Sequence, residues 1–202
     1  MPSLPDFKLE TYFSKWEFNV KFNMCASDTE AIPMRELLDM ASEEDKKAWE
    51  NLHLGYTETY GSPKLREAIA NTYNSLKSKH ILTFAGAEEG IYVAMKSILN
   101  NKDHAIVINP NYQSSETLPD SICEISGVSL DPKNDWNLDM NEIENAIKSN
   151  TKLISINFPN NPTGKLISRK ELNDLIILAK KNDTYIFSDE IYRLMERDES
   201  KR

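Results

Sequence analysis

The chain has 202 residues, 40% of them hydrophobic and 28% charged, with Asp and Glu outnumbering Lys and Arg by 32 to 24. That balance describes a globular chain with enough apolar mass for a core, not a disordered or fibrous one. A net charge of −8 without any basic stripe argues against a nucleic-acid partner, which needs clustered cations to follow phosphates.

No apolar run reaches the roughly 18 residues of a membrane span, so no membrane association is expected. The opening stretch mixes charge with aromatics (Phe7-Lys8-Leu9-Glu10, Lys15-Trp16-Glu17-Phe18), unlike a signal peptide. Cys25 and Cys123 stand far apart, which fits reduced thiols and a cytoplasmic setting. His53, His80 and His104 are scattered singly, without the spacing of metal ligands.

In chain order, Pro2, Pro5 and the irregular run to Pro33 read as an extended arm. A short helix is expected over 34–41, and Glu43-Glu44-Asp45-Lys46-Lys47 reads as a solvated helix face or loop. Leu65, Ala68, Ile69, Thr72, Tyr73 and Leu76 recur at helical spacing behind Pro63, a residue tolerated in a first turn. Ile81-Leu82-Thr83-Phe84-Ala85 then reads as a strand broken by Gly86, before a helix faced by Ile91, Ala94, Met95, Ile98 and Leu99.

Ala105–Ile108 is a second strand, stopped by Asn109-Pro110, and Ile122–Val128 a weaker third. Asp139 with Glu142 resembles a capping box for a helix carrying Met140, Ile143, Ala146 and Ile147. Leu153–Ile156 is a strand ended by Asn160-Asn161-Pro162-Thr163-Gly164. Ser168 and Glu171 open another helix, and Thr184–Phe187 is the last strand, followed at once by Asp189-Glu190.

Strands alternating with helices imply βαβ units and a mostly parallel sheet covered on both faces. Such sheets bind ligands outside the carboxyl ends of their strands. Gly86-Ala87-Glu88, Pro110-Asn111-Tyr112, Asn160-Asn161 and Asp189 occupy those positions and are expected to converge on one crevice. Gly86 lets the backbone approach an anion, with the first-turn N–H groups of Ala87 and Glu88 behind it; a plain strand-to-helix turn is the alternative. Tyr112 offers a flat face for a planar ligand, or is a core tyrosine. Asp189 ends an apolar strand, where a buried carboxylate must be paired, or is a buried N-cap. Asn161 is a ligand residue or a turn residue before Pro162.

The order of these segments resembles the class I/II aminotransferases of fold type I, which use pyridoxal 5′-phosphate. Asn160-Asn161-Pro162-Thr163-Gly164 followed by Asp189-Glu190-Ile191-Tyr192 carries the resemblance. So do Tyr56 with Gly61 and Leu65-Arg66 (a Tyr-x4-Gly-x3-Leu-Arg segment), Gly86-Ala87-Glu88-Glu89, and Pro110-x-Tyr112. It implies a three-layer αβα large domain, incomplete and with a mostly parallel sheet, behind an N-terminal arm. Residues 1–50 would form the arm or small-domain segment and 51–202 the partial cofactor-binding domain.

By the same resemblance, Asp189 would pair with the pyridine nitrogen of pyridoxal phosphate and keep it protonated. Asn161 and Tyr192 would bond the ring's phenolic oxygen, and Tyr112 would stack on the ring. Backbone amides of Gly86, Ala87 and Glu88 would hold the phosphate, and Tyr56 would reach the phosphate of a neighbouring subunit in a homodimer. The substrates implied are an amino acid and a 2-oxo acid. Ala85 and Ala87 depart from the family by offering no hydroxyl to the phosphate, and Glu88 adds a carboxylate that must turn away from it.

The family's Schiff-base lysine and its carboxylate-binding arginine fall beyond Arg202, so no catalytic residue is assigned. Lys201, in a charged tail, and Lys165, in a loop, are poor substitutes. Three readings follow: a partial aminotransferase, inactive alone; a non-catalytic module or partner subunit; or one part of a split enzyme whose lysine comes from another chain. The resemblance also places two further strands between Ile81–Ala85 and Thr184–Phe187. Without them a gap of about 10 Å, two ladder spacings, would leave apolar edges unprotected.

Overall fold

Four segments become the strands of one parallel sheet in the computed structural model, which describes residues 4–201. In chain order they are β1 (His104–Asn109), β2 (Glu124–Ser129), β3 (Thr151–Asn157) and β4 (Tyr185–Asp189), arranged β2-β1-β3-β4. The register aligns Asn109 with Ser129 and Asn157 with Asp189, so the strands end nearly level. A parallel ladder needs crossovers, and the helices that supply them cover both faces.

Each face buries its own cluster. Ala105 and Leu153 pack with Ile91, Met95 and Leu99 from α5 (Ala87–Ile98) and its cap, and with Leu118 of α6 (Gln113–Asp120). Their strand neighbours Ile106, Ile108, Ile154 and Ile156 point the other way. They meet Ile143 of α7 (Met140–Ala146) and Leu175, Leu178 and Ala179 of α8 (Arg169–Lys181). Period-2 alternation thus puts one side chain into each layer, and the unit is a three-layer αβα sandwich. α8 starts on a complete capping box: Ser168 Oγ accepts from Glu171 N, and Glu171 Oε2 accepts from Ser168 N at 2.7 Å. α7 realises only half of the expected box, its cap Asp139 accepting from Asn141 N.

The chain divides into two compact units. One is formed by Leu9–Phe84, the other by the segment ending at Lys8 together with Ala85 onward. The first is helical: α1 (Lys8–Trp16, which begins at the boundary), α2 (Met34–Met40), α3 (Glu43–Glu50) and α4 (Pro63–Ala70). Ala70 is the buried apolar residue among these helices.

Two expectations for this unit are corrected. Part of the expected extended arm is α1, where Leu9, Tyr12, Phe13 and Trp16 share one helical stripe. Ile81–Ala85 forms no strand: Thr83 instead bonds through its N–H and its hydroxyl to Tyr60 O. A strand persists only with a ladder partner, and none of the four strands described here pairs with it.

The Gly-x3-Leu-Arg segment gains a structural meaning here. Gly61 has φ +97°, and a Cβ there would run into the side chain of Thr83. Arg66, one turn into α4, reaches back so that Nε donates to Gly61 O at 3.0 Å and Nη1 to Ser78 O at 3.3 Å. One guanidinium fork thereby ties the turn before α4 to the turn after it.

Candidate functional site at the carboxyl ends of the strands

Asp189, the last residue of β4, has one described side-chain bond, its Oδ1 accepting from Ile191 N at 3.1 Å. No ion pair to it occurs among the described residues. Burial pushes its carboxyl above the usual carboxylate range, and the Ile191 N–H offsets only part of that. An electron-rich, half-desolvated carboxylate of this kind is stabilised by a ligand N–H⁺ brought to it.

Asn157 stands opposite Asp189 in the ladder and organises the neighbourhood. Its side-chain amide donates to Asp189 O at 3.1 Å, and its Oδ1 accepts from Asn161 N at 2.7 Å. Asn161 in turn donates through Nδ2 to the Tyr192 hydroxyl at 3.3 Å. β3 and β4 are therefore joined above the sheet by a short polar relay that includes the phenol and amide expected to receive a ring oxygen.

Asn160 extends the relay towards β1. It is 3% exposed, donates to Pro110 O at 3.2 Å, and accepts from Thr163 N and Oγ1. Gly164, with φ +72°, closes this turn by donating to Asn160 O at 2.8 Å. Tyr112, the N-cap of α6, follows directly on this β1 exit. Lys165, next to the turn, is committed elsewhere: its Nζ lies 2.9 Å from Asp135 Oδ2.

Gly86 precedes α5 with φ +113° and ψ 158°, and nothing lies within 4 Å of where a Cβ would stand. The backbone is accessible there, and the first-turn amides of Ala87 and Glu88 have no intrahelical acceptor by construction. The Glu88 carboxylate does turn aside: its Oε2 accepts from Ser114 Oγ at 2.9 Å, on the buried face of α6. Glu89 folds back onto Ala85 N at 2.7 Å, which secures the turn without occupying the amides behind it.

The structure thus brings Asp189, Asn161 and Tyr192 into one bonded group and sets Tyr112 and Gly86-Ala87-Glu88 on the same sheet unit. Tyr56 belongs to the helical unit, with its side chain fully exposed. Asn160 lies in the expected Asn160-Asn161 cluster, whereas Asn157, which carries the relay, is not among the residues expected from the sequence. The available signal was an amide side chain closing the mostly apolar run Leu153-Ile154-Ser155-Ile156-Asn157.

Comparison with known proteins identifies the family and the fold. The profile of the family "Aminotransferase class I and II" matches residues 20–202. An aspartate aminotransferase of Sulfolobus acidocaldarius is 34% identical over 161 residues, 74% of this chain and 40% of that protein. Kynurenine–oxoglutarate transaminase 1 of Mus musculus is 29% identical over 160 residues, 71% of this chain and 38% of that protein. A PLP-dependent aminotransferase from Streptococcus suis superposes with a TM-score of 0.89 at 29% identity, over 96% of this chain and 53% of the other. The chain therefore spans about 40% of the length of the curated relatives it matches. With the fold, the ordered motifs and the family match in agreement, the chain belongs to the class I and II aminotransferases.

Proposed function

We propose that this chain forms the cofactor-holding part of a pyridoxal-phosphate-dependent aminotransferase, one that moves an amino group between an amino acid and a 2-oxo acid. The observation that carries the reading is the Asn157–Asn161–Tyr192 relay, bonded to the main-chain carbonyl of Asp189, whose carboxylate has no described cation. Pyridoxal phosphate, when bound, supplies an electron-withdrawing ring that labilises bonds to a substrate's α-carbon. The residues present fit it.

Asp189 would hold a proton on the ring nitrogen. The Asn161 amide and Tyr192 hydroxyl would bond the ring's oxygen, and Tyr112 would lie on its face. The amides of Gly86, Ala87 and Glu88 would take the phosphate. The side chains of Ala85 and Ala87 add no hydroxyl, so backbone and helix dipole carry more of the anion's charge. Asn157 and Asn160 touch no ligand in this scheme; they hold Asn161 and the β3 exit in place.

A homodimer in the cytoplasm completes the reading. The helical unit leaves Phe18, Phe22, Met24 and Leu54 more than 70% exposed, and Tyr56, two residues after Leu54, is fully exposed. A second copy of the chain is the surface proposed to cover them, with Tyr56 directed at the partner's phosphate. Among the described residues, no helix is long and apolar enough to cross a membrane.

The test is titration of the purified chain with pyridoxal phosphate, followed by absorption, with borohydride reduction and peptide mass analysis of the product. Saturable binding of one equivalent, lost in Asp189→Ala, is expected, with no lysine labelled stoichiometrically. Absence of saturable binding, or binding indifferent to Asp189, would overturn the reading.

A further inference from the structure

Phe7 lies just ahead of the helical unit and places its ring against Tyr112, with centroids 5.2 Å apart and planes inclined by 53°. The residue after Tyr112 grips the backbone on both sides of Phe7. Gln113 Oε1 accepts from Lys8 N at 3.0 Å, and Gln113 Nε2 donates to Asp6 O at 2.9 Å. An amide that accepts from one peptide unit and donates to its near neighbour reproduces the bonding of an adjoining strand. Consecutive residues Asp6, Phe7 and Lys8 are thus fastened to consecutive residues Tyr112 and Gln113, far away in sequence.

Tyr112 itself caps α6 with extended backbone (φ −65°, ψ 135°), and its side chain makes no bond to the helix end. Its N–H donates to Asn111 Oδ1 at 2.7 Å, which fixes the backbone from which the ring projects. Phe7 is a flat neighbour at a separation and inclination typical of stabilising aromatic pairs.

We propose that Asp6–Lys8 is a clamp that sets the attitude of the Tyr112 ring. Phe7 is a positioning residue that braces Tyr112 for stacking on a flat heteroaromatic ligand, and Gln113 holds Phe7 in place. The inference rests on the reading of Tyr112 as the stacking residue of the cofactor site. Phe7 does not touch the ligand; it acts through Tyr112. The arm and the strand exit are in this view one device, although the sequence separates them by the whole helical unit.

The experiment uses the full chain and pyridoxal phosphate, with affinity read by absorption and ring environment by the induced circular dichroism of the bound group. Phe7→Ala is expected to weaken binding roughly 2- to 10-fold and alter the dichroism. Phe7→Tyr restores both, and Gln113→Ala moves both in the same direction as Phe7→Ala. In a Tyr112→Ala background, Phe7→Ala adds nothing, because the clamp has lost what it positions. Wild-type affinity and dichroism in Phe7→Ala would overturn the proposal, as would an equal loss with Tyr112 already removed. If the unsubstituted chain fails to bind pyridoxal phosphate, the reading of the site fails, and the clamp is decided on the unliganded protein. Movement of the Tyr112 ring resonances by both Phe7→Ala and Gln113→Ala then supports it, and unmoved resonances overturn it.

Discussion

Ile154 in β3 is fully buried, whereas Leu54 in the helical unit is 97% exposed, though the two side chains are isomers. The difference lies in their surroundings: β3 is inside the sheet, and Leu54 is in the loop between α3 and α4. β3 is flanked by β1 and β4 and covered on both faces, so every second residue enters a layer. The helices of Leu9–Phe84 carry apolar stripes of comparable quality, yet Tyr12, Trp16, Leu37 and Met40 remain exposed. Burial is thus a property of the partner surface as much as of the stripe. The sheet unit brings its own partners, and the helical unit leaves its apolar faces exposed, the faces for which a second copy of the chain is proposed as cover.

The largest test of this contrast is a matched pair of truncations. Ile154→Ala should cost about 2–5 kcal/mol, because the rigid layers around β3 cannot collapse into the cavity. Leu65→Ala, at a side chain 50% exposed in α4, should cost under about 1 kcal/mol in the monomer. Urea unfolding of both variants reads the difference, and equal losses would break the contrast.

Next in size is Gly61→Ala, which should loosen the helical unit by about 1–3 kcal/mol through its positive φ and the collision with Thr83. Limited proteolysis between α3 and α4 should accelerate while the sheet unit resists. Uniform resistance throughout the chain would mean that the turn is not what orders this unit.

Asp189→Asn separates stability from function inside the sheet unit. Burial raises the folded pKa of Asp189, so its charge opposes folding above the ordinary carboxylate range, and the opposition fades as pH falls through the raised value. The amide should therefore melt no lower than the parent at pH 7. It should also bind pyridoxal phosphate at least about tenfold more weakly, a difference of about 1.4 kcal/mol. A lower melting temperature with unchanged affinity would assign Asp189 a structural role instead.

The smallest effect concerns His104, at the opposite end of β1. Its ring nitrogens meet Thr151 Oγ1 at 2.8 Å and Ser126 Oγ at 2.9 Å, bridging β3 and β2. Desolvation, aided by the Lys148 charge and opposed by Glu124, holds its pKa below the usual imidazole value. A depressed histidine contributes stability that is complete above about pH 6.5 and lost as pH falls towards the folded value. Chemical denaturation between neutral and mildly acidic pH should show that loss in the parent and a shallower one in His104→Gln. Parallel profiles would remove His104 from the account.

Much of this was legible before the structure. Buried parallel strands are nearly continuous apolar runs, and β1, β3 and β4 fall within a few residues of their expected spans. The capping pair Ser168 and Glu171 announced α8 because both partners are local. α6 escaped notice because Gln113-Ser114-Ser115-Glu116-Thr117-Leu118-Pro119-Asp120 has little apolar periodicity and contains a proline; it is helical because the sheet covers it. The spurious strand at Ile81–Ala85 fails for the converse reason, being apolar without a ladder partner. In the site, the residues named by motif were visible, Asn160 among them, but Asn157 acts through a bond to distant backbone, which no local spacing encodes.

β4 has a ladder partner on one side only, among the described residues. A strand held by a single row of bonds opens at a lower free energy than a central one, so its outward amides should exchange with solvent long before those of β1. Asp189 closes that strand, and Tyr192 follows it. Any ligand that grasps both of them and the β1 exit together would act as a staple across the fraying margin. Its affinity would then be spent partly on suppressing local opening, and slowed amide exchange along Tyr185–Asp189 would record that share.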